Sequence, residues 1–104
     1  MRLTDLNPVF VGGGGDGISM NGEDVPRREG VGVMLDCPCG AGTCRLYVPF
    51  ANPLDGGPQH ASQGWQRTGD TFETLSLTPS ILRRISTCDC QWHGYIRNGE
   101  IITV

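Results

Sequence analysis

A chain of 104 residues with 38% hydrophobic residues and sixteen glycines has room for one domain with a thin core. Eleven acids oppose eight bases, every base an arginine, for a net charge of −3. That balance excludes the broad basic footprint of a nucleic-acid binder and the basic amphipathic face of a membrane binder.

In chain order, Met1 to Pro8 has an acid and a proline where a signal peptide needs an apolar stretch. No apolar run approaches the roughly twenty residues that span a bilayer. Val9-Phe10-Val11 reads as a short strand running into Gly12 to Gly17. A phosphate-cradling loop would end in Gly-Lys-Ser/Thr, and the chain has no lysine, so these glycines read as a plain loop. Ile18 to Val25 suits a hairpin on Asn21-Gly22, which Pro26 ends.

Val31, Val33, Leu35 and Cys37 alternate on one strand face, and Cys44, Leu46, Val48 and Phe50 form a matching stripe. The two strands should pair as a hairpin with its tip at Cys37 to Cys44. Ala51 to Gln66 reads as a loop carrying Trp65 and a surface histidine, His60. Phe72 to Leu77 predicts a further strand. Thr78-Pro79 offers an N-cap and first helical residue for a short helix with Ile81, Leu82 and Ile85 in one stripe; an extended reading fits nearly as well. Asn98-Gly99 predicts a two-residue turn pairing Arg97 with Glu100, Ile96 with Ile101 and Tyr95 with Ile102. His93 then shares the Tyr95 face, opposite Val104.

All five cysteines fall in two clusters, Cys37, Cys39 and Cys44, then Cys88 and Cys90, with His93 close behind. An odd number suits a reduced compartment, and thiolate with imidazole suits zinc. Six candidate ligands compete for four places, and the preferred set is Cys37, Cys39, Cys90 and His93. Cys44 is the rival in the first cluster. Four good ligands predict a closed, structural Zn²⁺ site. A Cys90–His93 nucleophile pair lacks a third orienting residue, and Asp36 and Asp89 read as surface acids. The expected fold is mainly β: a small single domain of β-hairpins with a zinc-ribbon-like metal site and at most one short helix. Residues 1–30 form a glycine-rich arm and 31–104 the metal-binding core.

Five stretches occur together in this order: Asp36-Cys37-Pro38-Cys39-Gly40, Leu46 to Leu54, Gly64-Trp65, Leu75 to Ile81, and Cys90-Gln91-Trp92-His93-Gly94. Over residues 31–104 the chain resembles a family of small metal-binding proteins from tailed phages and prophages. Some members carry an ammonia monooxygenase label, which a chain without a copper-type histidine cluster or membrane span does not support. The resemblance implies Cys37, Cys39, Cys90 and His93 as ligands and leaves Cys44 open.

The resulting expectation is a zinc-stabilised phage accessory or virion-associated protein, non-enzymatic, binding a phage or host protein and compatible with a larger assembly. Its place would be the host cytoplasm or the virion. Two alternatives are a metal-dependent hydrolase with an open zinc site and a zinc-ribbon nucleic-acid-binding module using Arg27, Arg28, Arg83 and Arg84.

Overall fold

The computed structural model describes residues 1–13, 28–39, 45–59, 61–85 and 90–104, and at residues 13, 28, 83–85 and 90 the backbone alone. The predicted hairpin at Ile18 to Val25 lies outside them. Seven strands form two antiparallel sheets: β1 (Val9–Gly13), β2 (Arg28–Asp36) and β3 (Arg45–Pro49) in one, β4 (Gln66–Thr68), β5 (Ser76–Ile85), β6 (Cys90–Arg97) and β7 (Glu100–Thr103) in the other. The mainly β expectation holds. Among the described residues the one helical element is a 3₁₀ turn, Leu3–Leu6. Among the described residues no helix is long and apolar enough to cross a membrane.

Register follows the alternation read from the sequence. Val33 pairs with Val48 and Leu35 with Leu46, so both stripes face one side. Arg97 pairs with Glu100, Ile96 with Ile101 and Tyr95 with Ile102, around Asn98 at φ 47° and Gly99 at φ 72°. Both turn residues thus adopt the positive φ of a type I′ hairpin.

The inner faces meet in one apolar cluster that joins Val33, Leu35, Leu46, Val48 and Phe50 to Leu75, Leu77, Ile81, Trp92 and Ile96. Each such side chain stabilises the fold by about 1.5–3 kcal/mol relative to exposure. Leu3 and Leu6 of the 3₁₀ turn close one end, held by Leu3 N–H donating to Gly99 O at 2.7 Å. Trp65 forms a parallel bridge with Phe50 that joins the end of one sheet to the start of the other. There Trp65 N–H donates to Pro49 O at 2.9 Å and Ala51 N–H to Trp65 O at 2.8 Å.

The segment after Leu77 differs from the predicted helix. Thr78 to Ile85 continues β5, because pairing with β6 buries Ile81 inward and leaves Leu82 outward, 57% exposed. A long ladder outweighs a local capping signal.

At the open end of β2, Asp36 accepts from Asn7 Nδ2 at 2.8 Å and from Arg45 at 2.7 Å, tying the 3₁₀ turn's exit to the β2–β3 pair. The hydrogen bonds from Asn7 and Arg45 hold its carboxyl below the ordinary value of 3.8. A depressed folded value gives stability that is present above 3.8 and lost as pH falls below it. Asp36→Asn should therefore lower the melting temperature at neutral pH. The gap from the parent should close as thermal unfolding is followed into acid below 3.8.

Candidate active site

The β5–β6 ladder contains an irregularity. Leu77 pairs with Ile96 and Ile81 with Gly94, so Thr78, Pro79 and Ser80 together face the single residue Tyr95. Extra residues on one strand bend it and re-aim a side chain, and such bulges recur beside active sites. The Thr78–Pro79 peptide is cis. Ser80, half-buried at the end of the bulge, turns to the outer face of the four-stranded sheet. Its carbonyl accepts from Trp65 Nε1 at 3.3 Å.

His93 stands on the same face one strand away. Trp92 and Ile96 point into the core, so the alternation of β6 sends His93 outward. Trp92 Nε1 donates to Thr103 Oγ1 at 3.0 Å and His93 O accepts from Val104 N–H at 2.9 Å, which fixes this stretch of β6 to its neighbour. Gly94 is required here, since a Cβ would lie 2.5 Å from Trp92 Cζ2.

The result is a contact of 3.1 Å between His93 Nε2 and Ser80 Oγ. With the ring proton on Nδ1, Nε2 accepts from the hydroxyl, the arrangement in which imidazole removes a serine proton. Ser80 and His93 thus form a contacting Ser–His dyad, and among the described residues no carboxylate is bonded to the ring.

The predicted metal ligands are placed differently. Cys37, 6% exposed, belongs to the core cluster, and Cys39 is half-buried in the turn that follows β2. Cys37 therefore faces the interior while His93 faces out beside Ser80, and the structure does not bring these two together. Cys44, Cys88, the side chain of Cys90 and His60 lie outside the described residues. Among the described residues no group of three or more His, Cys, Asp or Glu side chains is arranged to hold a metal.

Sequence reasoning passed over Ser80 because Thr78-Pro79-Ser80 reads as a helix start. The signal that could have found it is the extended reading of this segment, which lays Ser80 beside the strand that carries His93.

Residues 18–104 match a family described as bacterial ubiquitination-like system serine protease (BubE). No curated protein and no solved structure matches the chain. The family match overturns the expectation of a non-enzymatic phage or virion protein that acts by binding. It equally overturns the two alternatives, a metal-dependent hydrolase and a zinc-ribbon nucleic-acid module, because the family's chemistry is that of a serine nucleophile. With a serine and a histidine in contact inside the matched segment, the chain belongs to the family of bacterial ubiquitination-like system serine proteases.

Proposed function

We propose that the chain is a serine peptidase that uses Ser80 as nucleophile and His93 as general base. The observation that carries this reading is the 3.1 Å contact of Ser80 Oγ with His93 Nε2 on an exposed sheet face. Its substrate is a protein of a bacterial ubiquitination-like system.

Ser80 Oγ attacks the scissile carbonyl as Nε2 takes the hydroxyl proton, and a bond forms between Oγ and the carbonyl carbon. The resulting imidazolium gives that proton to the departing amine as the C–N bond breaks. Water then enters, deprotonated by the same nitrogen, and its oxygen releases the acyl group as a carboxylic acid, returning the proton to Ser80. Both groups lie on extended strands of one ladder, so their relative position is set by backbone pairing. A rigid arrangement of this kind spares the reaction the entropy of bringing the groups together.

Ser80→Ala and His93→Ala should each lower peptide-bond hydrolysis in a protein substrate from the same bacterial system by about a thousandfold or more. Ser76→Ala is the control: its hydroxyl accepts from Asn98 N–H at 2.9 Å at the far end of β5. It should retain turnover, with all three variants melting near the parent. Full activity in Ser80→Ala would refute the assignment.

We also propose that cysteines of the two clusters hold a structural Zn²⁺ that stays outside the reaction. Chain topology supports it. β3 runs toward the Phe50–Trp65 junction, and β5, antiparallel to β4, runs back from it alongside β3. The described strand ends that flank the two cysteine clusters, Asp36 with Arg45 and Ile85 with Cys90, therefore lie toward one end of the molecule. His93 engages Ser80, which leaves the thiols as the ligand set. Protein purified without a histidine tag should contain zinc, with thiols protected until a chelator lowers the melting temperature. Zinc-free protein of unchanged stability would contradict the proposal.

A further inference from the structure

Over the stretch that follows the nucleophile, β5 is paired on one side only. β5 has ten residues and β4 three, and β4 pairs with Ser76, Leu77 and Thr78 alone. The line of β4 is not extended past Ser80, because Trp65, the residue before it, is bridged to Phe50 of the other sheet. The Trp65 indole N–H meets the Ser80 carbonyl at 3.3 Å, and beyond that point no described strand lies beside β5 on this side.

Register fixes where the backbone groups of this stretch point. His93 O accepts from Val104 N–H at 2.9 Å, so the N–H and C=O of His93 are directed to β7 and away from β5. Leu82 lies opposite His93, and in an antiparallel ladder such a pair exchanges no hydrogen bonds. The N–H and C=O of Leu82 therefore point away from β6, out of the same edge on which the Ser80 carbonyl meets Trp65. Neither group has a partner among the described residues. By alternation the backbone of Arg84, opposite Gln91, takes the same direction.

Resting on the Ser80–His93 reading, we propose that this edge of β5 receives the protein substrate as an added antiparallel strand. Leu82 exchanges two hydrogen bonds with one residue on the acyl side of the scissile bond. An N–H and a C=O on one residue, held in the plane of a sheet, match the C=O and N–H of an extended polypeptide, and strand addition takes its affinity from such main-chain bonds. β5 runs from Ser80 to Leu82, so an antiparallel partner runs from Leu82 toward Ser80 and brings its carbonyl end to the nucleophile. Exposed edges are commonly blunted by proline or a bulge. In β5 both devices come before Leu82, as Pro79 and the Thr78–Ser80 bulge, and neither occurs between Ile81 and Ile85. The residue bound at Leu82 can be of any type that keeps its N–H, which excludes proline.

Peptidyl diphenyl phosphonates test this, because Ser80 Oγ bonds to phosphorus as phenoxide leaves and the peptide part can be varied under one reactive group. Acetyl-Ala-Ala-Ala joined to the diphenyl phosphonate analogue of alanine should label Ser80 about tenfold faster than the acetylated analogue alone, as two added hydrogen bonds imply. Methylating one interior amide nitrogen of the longer probe should remove that advantage. Leu82→Pro should remove it too, since proline deletes the outward N–H and leaves the bonds of β5 to β6 in place. The N-methyl series is measured on the parent protein and decides the matter whether or not Leu82→Pro folds. Equal rates for the long and short probes, or an advantage that persists through every N-methyl position, would overturn strand addition. An alkyl fluorophosphonate has no peptide amide and tests the dyad apart from the edge. Its failure to label Ser80 in the parent would overturn the nucleophile assignment instead.

Discussion

The β5–β6 ladder is the constraint on which the rest of this molecule depends. It carries core residues Leu77, Ile81, Trp92 and Ile96 on its inner face and Ser80 with His93 on its outer face. One set of backbone hydrogen bonds thus fixes both the burial that stabilises the fold and the geometry of the reactive pair. A one-residue slip of either strand would send every side chain to the other face, so the apolar inner face also enforces the outer register. Within this ladder the bulge at Thr78 to Ser80 is the departure from regular pairing, and it lies at the nucleophile.

A small, glycine-rich chain carries this site on the outer face of a sheet. Trp92 works on both sides of the division. Its ring fills the core, its indole N–H reaches Thr103, and its place in β6 sets the direction of the next residue, His93. Trp65 has a comparable double role: its backbone bridges the sheets and its indole N–H meets the Ser80 carbonyl. Both aromatic anchors therefore serve packing and the position of the dyad together.

Much of the fold was legible because it rests on local alternation. The stripes Val33–Leu35 and Leu46–Val48, and the Asn98-Gly99 turn, predict their own partners. The course of residues 78–85 was less legible, because the Thr-Pro pair favours a helix start while the competing ladder comes from a strand beyond the next cysteine cluster. A three-against-one bulge leaves no periodic trace in either strand. The two-residue gap between Cys90 and His93 resembles a metal knuckle, which points to His93 as a ligand and not as a partner of Ser80. That gap suits a turn, whereas Cys90–Arg97 is extended throughout. Nothing in composition pointed to proteolysis; the family match and the Ser80–His93 contact did so together.

The most direct test of the account is to treat the parent protein with a fluorophosphonate and map the adduct by peptide mass spectrometry. Because imidazole activates only the hydroxyl it touches, the account predicts a single modified residue, Ser80, and no adduct in His93→Ala. An adduct on another serine, or labelling of Ser80 that persists without His93, would contradict the dyad as the centre of the chemistry.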